Sequence, residues 1–233
     1  MLALHRLNLI AVLLGVCFSG QCVAADPSES LRKGMDSAAA EYIAENAAAS
    51  TALLEVFDKQ AGLVAKSTKL QSDEKDAVIA AIEAEKSDFQ SHGTLPLSPV
   101  MRSSAVLYLN TLAATKEKAE KPFDKAISHY RNKAKDSVTA NGVAEEKQKL
   151  LGRRLLGTWT FPGFAVPFYS DGTAGPNRSW TLDDTGLVIL HRTQMAPKGC
   201  WVDKGVIELS GKACEIKNQL GHVKKGVWSN PVE

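Results

Sequence analysis

Three tryptophans are the residues of this 233-residue chain whose type and spacing best suggest a ligand site. Trp159, Trp180 and Trp201 follow one another at intervals of 21 residues, which suits one strand, turn and strand unit. Three hairpins in series would bring the rings to a similar height on alternate strands. The rings then form either one layer of an aromatic core or an exposed platform on which a sugar or another flat ligand stacks.

Outside residues 1–25 the chain has two cysteines, Cys200 and Cys214. An oxidising compartment favours their pairing, and a disulfide closing a loop of this size would add about 3 kcal/mol to stability. A hairpin turn at Ser210-Gly211 opposes the pairing, because it sets Cys214 opposite Ile207. Cys200 would then lie more than about 20 Å further along the strand. The sequence leaves the disulfide open.

The sequence contains no residue pattern typical of a catalytic or metal centre. It has neither a G-x-S-x-G elbow for a nucleophile nor a phosphate-binding or dinucleotide-binding loop. The paired acids Glu145-Glu146 and Asp183-Asp184 are adjacent, so their side chains point apart and cannot flank a scissile bond. The side chains that zinc prefers lack a local chelating pair, although four are present: His191, Cys200, Cys214 and His222. We expect no catalytic residue, no metal site and no cofactor.

Residues 1–25 have the pattern of a secretory signal peptide. The segment MLALHR carries one arginine and no acid, and the apolar run LNLIAVLLGVCF follows it. That run is shorter than the roughly twenty residues that span a bilayer, and the small residues Ala24 and Ala25 suit cleavage. We therefore expect a secreted or periplasmic protein whose mature chain has no transmembrane segment.

The charge of the mature chain is nearly balanced. The full chain has 28 basic and 26 acidic residues. Removal of the predicted signal peptide takes away only one of them, Arg6. The remaining charges of both signs are interspersed, so no basic face marks a nucleic acid or an anionic membrane as partner. We expect instead an unidentified protein or envelope partner.

Residues 26–154 have the composition of a helical region, rich in Ala, Glu, Lys and Leu and without Trp or Cys. Apolar residues three or four positions apart predict a first helix over residues 30–66. Ser72 can cap a second helix through its hydroxyl, and that helix is expected to end at Phe89 or Gln90.

A third helix is predicted from about Ser103, and Pro122 either kinks it or begins a new helix. Asn141-Gly142 predicts a turn before a last helix over residues 143–156. These helices indicate an antiparallel bundle or coiled coil, through which the chain can self-associate.

Residues 155–233 change to short β-branched and aromatic runs that turns such as Asp171-Gly172 and Ser210-Gly211 separate. About seven strands in fewer than about eighty residues indicate an antiparallel meander or barrel. The predicted fold class is therefore α+β, with a signal peptide at 1–25, a helical region at 26–154 and a small all-β domain at 155–233.

The start of the β-region resembles a lipocalin-type β-barrel, because Gly157-Thr158-Trp159 follows a helix. With Asp171-Gly172-Thr173, Trp180 and Trp201-Val202-Asp203, it also resembles the GTW…DGT…W…WVD pattern of small β-domains in uncharacterised bacterial secreted proteins. Those proteins have no assigned activity. The lipocalin resemblance implies a lipid-like or sugar-like ligand inside the barrel.

Two features differ from the lipocalin pattern. The strands are short, which predicts an interior that the barrel's own side chains fill. Lys224 and Lys225 stand where lipocalins have an arginine packed on the Gly-x-Trp tryptophan.

Two functions are compatible with these observations. The lack of a catalytic pattern and the long helical region favour an exported, non-enzymatic structural or binding module of the periplasm or cell envelope. The β-region favours a carrier of a small lipid-like or sugar-like molecule, with Trp159, Trp180 and Trp201 as the candidate ligand-binding residues.

Overall fold

The structure, a computed structural model, describes residues 29–183, 186–193 and 199–231. The predicted signal peptide at 1–25 lies outside these ranges, as does Asp184. The helices within them are α1 (Glu29–Lys66), α2 (Ser72–His92), α3 (Arg102–Ser128), which continues into a π-helical turn (His129–Lys133), and α4 (Ser137–Leu151). The strands are β1 (Leu155–Phe161), β2 (Phe164–Tyr169), β3 (Arg178–Asp183), β4 (Gly186–Arg192), β5 (Cys200–Ile207), β6 (Ala213–Asn218) and β7 (Val223–Ser229).

The predicted α+β class is confirmed, and the change from helix to strand falls between α4 and β1. The helices form an antiparallel bundle in which α1 packs against α2 and α3, and α4 packs against α3. Lys86 of α2 forms an ion pair with Asp58 near the end of α1. Arg32, near the start of α1, donates to both carboxylate oxygens of Glu146 in α4 at 2.8 and 2.9 Å.

Both predicted boundaries of α2 need correction. Ser72 is the first residue of α2 and not its cap; the cap residue is Gln71, whose backbone N–H donates to the Glu74 carboxylate at 2.9 Å. α2 ends at His92 and not at Phe89 or Gln90. Of the two alternatives for Pro122, the start of a new helix is wrong, because α3 runs through this residue to Ser128.

The turn predicted at Asn141-Gly142 is wrong, because both residues lie inside α4. The chain reverses earlier, where Lys135 adopts a positive φ of 57°. Asp136 then begins α4 by accepting the backbone N–H of Thr139 at 3.0 Å. Because the chain has already reversed its direction at Lys135, Asn141 and Gly142 continue α4. The predicted extension to residue 156 also fails, since α4 ends at Leu151.

The seven strands form one antiparallel sheet in the order β2-β1-β7-β6-β5-β4-β3, which curls into a nearly closed barrel. The gap lies between β2 and β3. Across it, the Phe168 and Trp180 rings stack with centroids 4.7 Å apart. The backbone N–H of Trp180 also donates to the Gly172 carbonyl at 2.8 Å.

The helical region and the barrel share one apolar core. Phe89 of α2 and Leu97 of the following loop belong to the same buried cluster as Leu156 and Trp159 of β1. The turn Ser210-Gly211 faces this helical side, since a Cβ on Gly211 would lie 2.1 Å from Glu85 of α2. One end of the barrel therefore packs against the helices.

Candidate functional site

A cavity of about 360 Å³ opens at the barrel end that lies away from the Ser210-Gly211 turn. We call this cavity the barrel mouth. Its lining comes from six strands and the β6–β7 turn: Phe164, Val166, Arg178, Ile189, His191, Trp201, Asp203, Ile216, Asn218, His222 and Lys224. The short strands predicted an interior that the barrel's own side chains fill, and the open cavity lies only at one end of it. Large apolar side chains fill only the helical half, whereas long polar side chains at the mouth extend toward water.

The register of the strands brings the polar lining residues side by side. Arg178 of β3 pairs with His191 of β4, which in turn pairs with Trp201 of β5. One row deeper, Asp203 pairs with Asn218 of β6. Directly paired residues have Cβ atoms about 4.5–5.5 Å apart, so each row presents a compact set of groups to one ligand.

Two cations lie over a single aromatic ring at the mouth. The Lys224 Nζ is 4.4 Å from the centroid of the Phe164 ring, and the Arg178 guanidinium carbon is 6.0 Å from it. Among the residues that the structure describes, no carboxylate forms an ion pair with either cation. The ring attracts both charges through its quadrupole and leaves their hydrogen-bond donors available.

Asp203 is the acid that faces these cations. Its half-buried position raises the pKa of the carboxyl, and the charges of Lys224, His191 and Arg178 offset part of that increase. Burial disfavours the ionised form because water no longer solvates the charge. The mouth thus has two cationic side chains and one carboxylate whose ionisation is disfavoured.

The predicted tryptophans separate into two environments. Trp159 and Trp180 are buried, and they join Trp228 and Phe168 in one aromatic chain with centroids 5.2, 5.8 and 4.7 Å apart. Trp201 is half-buried and lines the mouth. The three lie on alternate strands as expected, but the stagger of strands in a barrel puts equally spaced residues at different heights.

Both cysteines are free thiols. Cys200 is the first residue of β5, and Cys214 lies in β6 near the turn that joins the two strands. Cys214 pairs with Ile207, as the Ser210-Gly211 turn predicted. Burial raises the pKa of the Cys214 thiol to about 12. Cys200 lies at the mouth end of β5, half-buried.

The histidines of the mouth do not form a metal centre with the described residues. His191 and His222 both line the cavity, but within the described ranges no three histidine, cysteine or acidic side chains are close enough to hold a metal ion.

Sequence reasoning missed the charged lining of the mouth. Arg178, Asp203 and Lys224 each share the inward face with buried residues two positions away, such as Trp180 for Arg178. A charged residue two positions from a buried tryptophan lies on the same face of a strand, and the sequence alone can show that spacing. The spacing indicates an inward-facing charge only if both residues are known to lie in one strand.

Comparison of the chain with known protein families, with curated proteins and with solved structures finds no match. None of the described helices is long and apolar enough to cross a membrane.

Proposed function

We propose that this chain is an exported binding protein without enzymatic activity, and that its barrel mouth binds a small anionic molecule. The observation behind this proposal is the pair of cations, Arg178 and Lys224, in a concave cavity where no described carboxylate forms an ion pair with them. Cations held in place within a cleft attract anions more strongly than the same charges on an open surface.

The size and lining of the mouth support a small molecule as ligand. A cavity of about 360 Å³ lies at the lower end of the range that binds small molecules, about 300–1,000 Å³. Val166, Ile189 and Ile216 supply an apolar floor beneath the charged rim. Such a combination of apolar walls and a few polar groups is typical of small-ligand sites.

The lining offers charged and hydrogen-bonding groups to a ligand: its polar members are arginine, lysine, histidine, aspartate and asparagine. Among the described residues that line it there is no serine, threonine or cysteine to act as a nucleophile. The signal-peptide pattern at 1–25 supports export to the periplasm or beyond the cell. A structural role through self-association of the helices stays a prediction.

Titration calorimetry with the mature protein tests the proposal. The probes are benzoate, inorganic phosphate and D-glucuronate, and we expect saturable binding of at least one anion that weakens as NaCl rises. Arg178→Ala and Lys224→Ala should each lower its affinity at least about tenfold, because a hydrogen bond to a charged group contributes about 1.5–3 kcal/mol.

Lys225→Ala is the matched control. Lys224 and Lys225 are both exposed residues of β7, but Lys224 lines the cavity, whereas Lys225 points to the outer face and pairs with Glu215. Its removal should leave anion affinity within about twofold, since an exposed charge outside the cavity is screened by solvent. Absence of binding by all three anions, or equal losses in Lys224→Ala and Lys225→Ala, would refute the proposal.

A further inference from the structure

We infer that the anion is a sugar acid, a single pyranose ring that carries a carboxylate. This inference rests on the proposed function and assigns the ligand class of the same site. The barrel mouth combines two cations, an accessible tryptophan and a pair of hydrogen-bonding side chains. A sugar acid uses all three, because it has a negative charge, an apolar C–H face and hydroxyl groups.

Arg178 and Lys224 are suited to the carboxylate. The arginine fork matches a carboxylate with two parallel N–H donors, and the lysine adds a compact charge beside it. Both cationic groups lie within 6.0 Å of the Phe164 ring centroid, and contact with the ring does not use their hydrogen-bond donors. The carboxylate therefore occupies the Phe164 side of the mouth.

Asp203 and Asn218 are suited to hydroxyl groups. They are paired directly across β5 and β6 and both line the cavity. The Asn218 Oδ1 already accepts the backbone N–H groups of Leu220 and His222 at 2.9 and 3.0 Å, which leaves its NH2 group to donate. The ionised Asp203 carboxylate accepts hydrogen bonds, so together the two side chains match a pair of neighbouring hydroxyls, one as acceptor and one as donor. A fatty acid or benzoate would instead press C–H groups against both side chains and desolvate them without replacement.

Trp201 supplies the stacking surface. It pairs with His191 across β4 and β5 and is the half-buried tryptophan of the mouth. The electron-rich face of an indole attracts the partly positive C–H groups of a pyranose ring. A small inorganic ion would leave Trp201, Asp203 and Asn218 unused.

Titration calorimetry with D-glucuronate and D-galacturonate tests this ligand class in the full mature chain. D-Glucose supplies the ring without the charge, benzoate the charge without hydroxyls, and inorganic phosphate the charge alone. We expect at least one of the two uronates to bind at least about tenfold more tightly than each of these three compounds.

Variants assign the groups to their proposed partners. Trp201→Ala and Asp203→Ala should weaken the preferred uronate at least about tenfold and change benzoate affinity less than about threefold. Arg178→Ala should weaken both, and Lys225→Ala neither. Circular dichroism melting separates a misfolded variant from a folded one, and Asp203→Leu, which has a similar size and no acceptor, is the substitute if Asp203→Ala does not fold.

The outcomes distinguish this inference from the proposed function. Benzoate or phosphate binding as tightly as the uronates, with dependence on Arg178, would overturn the sugar acid and retain anion binding. Glucose binding as tightly as the uronates would overturn the role of the cations. Uronate binding that is unaffected in Trp201→Ala would overturn the stacking assignment, and no binding by any compound would overturn both proposals.

Discussion

Glu85 should control the attachment of the barrel to the helices. This α2 residue is only 4% exposed. Its Oε1 accepts the backbone N–H groups of Leu97 and Ser98 at 2.6 and 2.7 Å, and its Oε2 accepts the Ser98 hydroxyl at 2.6 Å. The carboxylate thereby ties α2 to the loop that packs beneath the barrel.

Removing this carboxylate should cost far more than neutralising it. Glu85→Ala leaves two buried N–H groups and a hydroxyl without their partner, at about 1–3 kcal/mol for each unsatisfied group. Because the three share one acceptor and partial relaxation is expected, we predict a loss of about 4 kcal/mol in the free energy of unfolding. Glu85→Gln can keep its oxygen toward both N–H groups and its amide toward Ser98, so it should cost less than about 1.5 kcal/mol.

The two variants should also differ from the wild type in pH dependence. Burial raises the pKa of Glu85, and the hydrogen bonds from Ser98 and Leu97 and the charge of Lys212 offset part of this effect. The folded state then holds a proton at a pH where the unfolded chain, with a glutamate pKa of about 4.3, has lost it. Wild-type stability relative to Glu85→Gln should therefore be greatest at low pH and fall as pH rises through the folded-state pKa.

Urea unfolding at several pH values between 4 and 8 measures these differences. Circular dichroism follows the helices, and tryptophan fluorescence follows the barrel. The reasoning is refuted if Glu85→Ala unfolds within about 1 kcal/mol of the wild type, or if Glu85→Gln is as unstable as Glu85→Ala.

Three further predictions concern single residues. Gly211→Ala should lower the free energy of unfolding by at least about 3 kcal/mol in urea, because φ is +69° and the new Cβ would lie 2.1 Å from the Glu85 Oε1; a loss below about 1 kcal/mol would contradict this. Burial raises the pKa of Asp203, so calorimetry should show benzoate affinity rising as pH falls. Asp203→Asn should bind benzoate more tightly at pH 7, by less than about threefold because the ionised carboxylate is exposed to solvent screening, and its affinity should rise less on lowering the pH. Thiol titration in urea should find two free thiols in the mature chain. In the folded protein Cys200 should react well before Cys214, because Cys214 is buried and its pKa is raised to about 12. Equal reaction rates of the two thiols would contradict this prediction.

Local patterns determined much of this fold. The three-to-four residue spacing of apolar side chains predicted α1 to within one residue, because a helical face repeats over many turns. The Ser210-Gly211 turn predicted the pairing of Cys214 with Ile207, since a short hairpin turn sets the register of its strands. The helix-to-strand change near residue 155 followed from composition alone. Each of these depends on contacts between residues close in sequence.

Tertiary structure alone decided the candidate binding site. Equal spacing of the tryptophans could not reveal that barrel stagger buries Trp159 and Trp180 and leaves Trp201 at the mouth. Arg178 and Lys224 are 46 residues apart in sequence and meet over one ring only because the sheet curls until β3 approaches β2 and β7. Burial and the distance between such charges are properties of the closed barrel, so no local pattern contains them.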